Sequence, residues 1–148
     1  MLLHASCVAL GGAGLLLLGA PGAGKSSMAL RLMERGWGLV ADDQVVIATT
    51  PQGLLASAPP ALAGGLEVRG LGVFRDLPHG PAVLAVVARL APMASIARLP
   101  RARRWQALDH EVPEFELDAA DPAAPEKAAW GLRAAQGALC QTAGAFAP

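Results

Sequence analysis

The segment Gly19-Ala20-Pro21-Gly22-Ala23-Gly24-Lys25-Ser26 constrains this chain more than any other stretch of it. It fits the pattern G-x-x-x-x-G-K-[ST] in full, and such a loop works only where a strand delivers the chain into it and a helix carries the chain away. Both flanks are readable. The apolar run 15–18 predicts the strand. Met28, Ala29, Leu32 and Met33 recur at helical spacing from Lys25 to Arg35, and Gly36 stands where a C-terminal cap is expected. Glycines 19, 22 and 24 let successive backbone N–H groups turn inward on a di- or triphosphate, and the helix N-terminus adds its partial positive charge. Lys25 then reaches the β and γ phosphates. Ser26 offers a hydroxyl to Mg²⁺, a hard cation that shares its shell between water and phosphate oxygens. A glycine-rich turn beside a surface lysine is the plain alternative, and the complete motif with its two flanks argues against it.

The rest of the composition says that phosphate chemistry must be local. Lys plus Arg total 12 and Asp plus Glu total 12, so no global field draws the chain to nucleic acid or to an anionic membrane. With 148 residues, 53% of them hydrophobic, one domain spanning 1–148 with a full core is expected, and disorder is excluded. No apolar run approaches the roughly 20 residues of a membrane helix. The N-terminal stretch has no Lys or Arg before Lys25 and is interrupted by His4, Ser6 and Gly11 to Gly14, so it does not read as a secretory signal. Cys7 and Cys140 stand at opposite ends with no metal-binding spacing, which suggests two buried thiols in a reducing cytoplasm.

Residues 2–10 and 15–18, joined by Gly11-Gly12-Ala13-Gly14, predict a β-hairpin. Trp37 to Ala41 reads as a short buried strand, Gln44 to Thr49 as another before the Pro51-Gln52-Gly53 turn, and Leu66-Glu67-Val68 as a third between glycine-rich loops. Residues 83–90 form the clearest later strand, with Ala94 to Leu99 as its candidate partner. Pro113 and the acidic stretch to Asp121 read as a connection to a C-terminal helix from Pro125 to Cys140.

Asp42 and Asp43 fall at a strand end beside the phosphate loop. One such carboxylate can hold Mg²⁺ directly or through water while its neighbour orients or deprotonates an attacking hydroxyl. Neighbouring side chains on a strand point to opposite faces, so two separate tasks fit better than one shared task; an Asp pair is also ordinary turn chemistry. Glu67 and Arg69 can ligate metal and clamp phosphate, or simply pair with each other on the surface. His4, in an apolar strand, reads by itself as a packed core residue. Arg98, Arg101, Arg103 and Arg104 read as a solvated loop that can also steer an acidic partner or a phosphate.

Taken together, HASCVALGGAGLLLLGAPGAGKSSMALRLMERG at 4–36, LVADDQVVI at 39–47 and LEVRGLG at 66–72 resemble the catalytic domain of the HPr kinase/phosphorylase family. The resemblance covers about half the chain, and the order of its segments is far more specific than the phosphate loop alone. It implies an α/β fold with a P-loop kinase-like mixed sheet, a phosphate-loop helix and a C-terminal helix. It implies an ATP- and Mg²⁺-dependent cytoplasmic protein-serine kinase acting on an HPr-like phosphocarrier of a bacterial phosphotransferase system, with hexameric assembly possible.

Residue by residue, the resemblance puts Lys25 on the transferred and bridging phosphates. It puts Ser26, Asp42 and Glu67 on the metal side, Asp43 as the acid/base facing the protein serine, and His4 in the active-site region. The loop from Gly19 through Ala20, Pro21, Gly22, Ala23 and Gly24 to Ser26, with Ser27 and Arg69, completes the nucleotide set. Because His4 lies so near the start, the chain resembles the short, catalytic-domain form found in alphaproteobacteria. Ser27 stands where an acidic residue commonly follows the loop serine, and no Pro-Gly-Arg-Asn stretch occurs near the C-terminus, which argues against the reverse, phosphorolytic reaction. A P-loop small-molecule kinase and a non-catalytic nucleotide sensor are the alternatives.

Overall fold

The computed structural model describes residues 1–148. Its strands are β1 (Leu2–His4), β2 (Ser6–Leu10), β3 (Ala13–Leu18), β4 (Gly38–Ala41), β5 (Gln44–Thr50), β6 (Gly53–Ser57), β7 (Leu66–Val68), β8 (Gly72–Phe74), β9 (Ala82–Leu90), β10 (Arg103–Ala107) and β11 (His110–Leu117). Two α-helices accompany them, α1 (Lys25–Met33) and α2 (Ala124–Ala135). Nine strands form one mixed sheet in the order β1-β5-β6-β9-β3-β2-β4, with β11 also on β9 and β10 on β11, while β7 and β8 pair as a separate hairpin. Strands β3, β9 and β11 run parallel and the other pairs are antiparallel. The α/β expectation, with a mixed sheet behind the phosphate loop, is met.

The sheet curls because its first strand is broken. The run 2–10 divides at Ala5: β1 pairs with β5, and β2 pairs with β3 and β4. A β-bulge between Cys7 and Val8 adds local twist beside the loop that carries Asp42 and Asp43. Side-chain alternation along β3 then fills two cores at once. Leu15 and Leu17 face α1 and α2 together with Met28, Leu32, Val86 and Leu132. Leu16 faces the inside of the curl with Val45, Ile47, Leu54 and Val87.

Both helices stop where a glycine takes a left-handed conformation. Gly36 (φ 91°) and Gly137 (φ 78°) end them, each with a pair of backward bonds: Trp37 N–H to Leu32 O and Gly36 N–H to Met33 O, then Ala138 N–H to Arg133 O and Gly137 N–H to Ala134 O. The second helix therefore ends near Ala135 rather than at Cys140, and Cys140 is exposed, not buried as expected.

The second half departs from its reading in two further places. Ala94–Leu99 is not a strand. A short 3₁₀ turn at Met93–Ser95 follows Pro92, and β9 has no edge left for such a partner: β3 takes one side, while β6 and β11 share the other. The partner is β11, built from the acidic stretch that reads as a connection. Its charges are answered from neighbouring strands, Glu114 by Arg89 at 2.9 Å and Glu116 by Arg103 at 3.8 Å. Pro113 precedes the β9-paired part of the strand, which begins at Glu114. Arg103 and Arg104 accordingly lie on β10 rather than in a loop. No helix is long and apolar enough to cross a membrane.

Candidate phosphate-binding cleft

The phosphate loop connects the end of β3 to α1. Gly22 (φ 79°) and Gly24 (φ 101°) adopt backbone conformations that side chains resist, and a Cβ on Gly24 would lie 3.0 Å from Ala119 Cβ. Position 24 is thus closed to other residues by both φ and packing. No side chain caps α1 at Gly24, so the amide N–H groups that a helix leaves without partners in its first turn border the cleft. Lys25, buried, folds back so that its Nζ donates to Gly19 O at 2.8 Å and Ala20 O at 3.1 Å.

Opposite the loop, the β4–β5 connection is tighter than a plain strand end. Gln44 N–H donates to Asp42 O at 2.8 Å, and Asp43 between them has φ 68°. This is a γ-turn of the strained, positive-φ kind, which costs of order 1–3 kcal/mol and persists only where neighbours enforce it. Ala5 N–H supplies part of that enforcement, donating to Asp43 O at 3.2 Å. The turn sends the two carboxylates apart. Asp43 is largely exposed, with His4 Nδ1 3.5 Å from its Oδ1. Asp42 points inward and is buried: its Oδ1 accepts the Ser6 and Ser26 hydroxyls, each at 2.7 Å, and its Oδ2 accepts Glu67 N–H at 3.4 Å.

These elements enclose a polar cleft of about 230 Å³. His4, Pro21, Gly22, Gly24, Lys25, Ser26, Ser27, Asp43, Glu67 and Arg69 all border it, and so does Ser6. Gly19, Ala20, Ala23 and Asp42 do not border it. Glu67 and Arg69 both reach the cleft and form no ion pair with each other. None of Arg98, Arg101, Arg103 and Arg104 borders it; Arg104 instead lies 3.8 Å from Glu111, and Arg98 lines a separate hollow beside Trp130. Ser6 is the residue that sequence reasoning passes over, since a lone serine in an apolar strand has no spacing to mark it.

The family model for the HPr Serine kinase C-terminal domain matches residues 1–77. The chain belongs to this family. Every residue bordering the cleft lies inside the matched span. Among curated relatives of the HPr Serine kinase C-terminal domain family, HPr kinase/phosphorylase of Clostridium tetani is 47% identical over 76 residues, covering 51% of this chain and 25% of that protein. HPr kinase/phosphorylase of Bordetella petrii is 48% identical over 64 residues, 43% of this chain and 21% of that protein. The chain therefore spans about a quarter of the length of the curated relatives it matches. The solved structure of the Hpr(Ser) kinase/phosphatase from Coxiella burnetii superposes with a TM-score of 0.81, covering 93% of this chain and 92% of that one at 22% identity. That likeness shows the fold.

Proposed function

We propose that residues 1–148 act as one catalytic unit, an ATP- and Mg²⁺-dependent kinase that phosphorylates a serine of an HPr-like phosphocarrier protein in the cytoplasm. The observation that carries this reading is the polar cleft, which gathers an ammonium, three serine hydroxyls, two carboxylates, an imidazole and a guanidinium around the free end of α1.

The residues present fit both groups the reaction requires. Main-chain amides of the first turn of α1 and the Lys25 ammonium suit phosphate oxygens. Lys25 would exchange its two loop carbonyls for the anion. No group of three or more His, Cys, Asp and Glu side chains forms a ready-made metal cage. A few hard oxygen donors beside a phosphate site are instead what Mg²⁺ uses. Ser26 Oγ, its proton committed to Asp42, keeps lone pairs for the cation, and the Glu67 carboxylate is a second donor. Bound magnesium supplies charge neutralisation on the phosphates. Asp43, held outward by its γ-turn beside His4, accepts the proton of the acceptor serine. Arg69, at the mouth, binds a phosphate oxygen or the acceptor's backbone. Alignment and charge stabilisation account for most of the acceleration.

The test is incubation of the purified chain with labelled ATP, Mg²⁺ and HPr, with mass spectrometry to locate the phosphoserine. Lys25→Ala and Asp43→Ala should abolish transfer, the second by removing a general base worth about 10²–10⁴-fold. Asp43→Asn, which keeps the turn, should be equally inactive. Undiminished transfer by a folded Asp43 variant would remove the base assignment. Transfer to a metabolite rather than to HPr would replace the protein substrate.

A further inference from the structure

We propose that Ser6 is a positioning residue for the cation donors, acting through Asp42; the inference rests on the nucleotide and magnesium reading above and deepens it. Ser6 is fully buried in β2 between Ala5 and Cys7, which are also fully buried. A hydroxyl in such surroundings costs stability unless it is hydrogen-bonded, and its bond goes to Asp42 Oδ1 at 2.7 Å. The same oxygen receives Ser26 Oγ–H at 2.7 Å.

The second donor matters because of where each serine stands. Ser26 belongs to the first turn of α1 and borders the cleft, so a pair made only of Ser26 and Asp42 can rotate together. Ser6 sits on a strand paired on both sides, with Leu17 of β3 opposite it and the neighbouring Cys7 opposite Ala41 of β4. It therefore anchors Asp42 to the sheet. With Oδ1 fixed to the sheet, the Ser26 proton is held toward Asp42 and the Ser26 lone pairs are held toward the cleft. Asp42 makes no ion pair with any Lys, Arg or His of the chain. Two hydroxyls and one amide are its protein partners, an arrangement that leaves its charge to be balanced by a cation at Ser26.

The test is calorimetric titration of magnesium chloride into the purified chain with saturating ADP, alongside ADP titration in EDTA. Ser6→Ala should weaken apparent Mg²⁺ affinity about 10-fold, the scale typical of lost partners behind a metal ligand, while metal-free ADP binding stays unchanged. Ser6→Thr, which restores the hydroxyl, should recover it. Ser6→Cys, close to serine in size but a weak donor, should show the loss should alanine prevent folding. In an Asp42→Asn background, Ser6→Ala should add no further loss, since the effect runs through Asp42. Unchanged Mg²⁺ affinity in folded Ser6→Ala or Ser6→Cys, an equal loss of ADP binding in EDTA, or additivity with Asp42→Asn would each overturn the proposal. If the wild-type chain binds neither ADP nor its magnesium complex, the nucleotide reading itself fails and this inference falls with it.

Discussion

Residues 1–77 and residues 78–148 divide the labour unequally. All the residues bordering the cleft come from the first part, which is also the part matched by the family model. The second part borders none of it and yet holds it up. Its strand β9 lies between β3 and β6 in the sheet, Ala119 closes against Gly24, and Arg31 of α1 donates to the carbonyls of Ala119, Asp121 and Pro122 at 2.7, 3.1 and 3.3 Å. Chemistry requires particular side chains at particular distances, whereas support requires only volume and backbone bonds. Many sequences meet that second demand. The family-model match ends at residue 77, while likeness of fold to the Coxiella burnetii protein covers 93% of the chain.

The hardest test of this dependence is a chain ended after residue 77. It lacks β9, which pairs with β3 from Ala13 to Leu18, so it should lose cooperative unfolding altogether, as read by circular dichroism against urea. A folded, nucleotide-binding fragment would show that the first part stands alone. Arg31→Met probes the seam more gently. It should lower stability by about 1–3 kcal/mol, with faster hydrogen exchange at residues 119–121 and nucleotide binding per folded molecule retained.

The smallest effect near neutral pH sharpens the comparison through the two cysteines. Burial pushes the Cys7 thiol far above its ordinary value of 9.0. In the unfolded chain Cys7 ionises from about pH 9, while in the folded chain it stays protonated. Stability is therefore unaffected below that pH and declines above it, by up to about 1.4 kcal/mol per pH unit. Cys7→Ala should remove this contribution to the alkaline slope. A thiol reagent should label Cys140 in the native protein and Cys7 only after unfolding.

Legibility in the sequence follows the same division. The loop from Gly19 to Ser26, α1 and the Asp42-Asp43 strand end are readable because each depends on residues adjacent in sequence or spaced by one helical turn. Strand β11 is not, because Glu114 and Glu116 look solvent-seeking until Arg89 and Arg103 are brought across from other strands. Strand β6 escapes for a related reason: Gly53–Ser57 is short, and only its pairing with β5 and β9 makes it a strand. Within the cleft, the meeting of His4 with Asp43 and of Ser6 with Asp42 depends on the break at Ala5 and on the γ-turn. Neither leaves a periodic trace.

That turn also limits which sequences can occupy position 43. Its φ of 68° is a conformation in which aspartate and asparagine are over-represented and longer or β-branched side chains are scarce. Glutamate could carry the same acid but would fit the backbone poorly, so exchange between the two acids, common elsewhere, is disfavoured here. A lineage that abandoned the chemistry while keeping the shape would be expected to drift to asparagine or glycine. Under the role proposed for Asp43, the identity of this one residue in each descendant would separate working copies from silent ones.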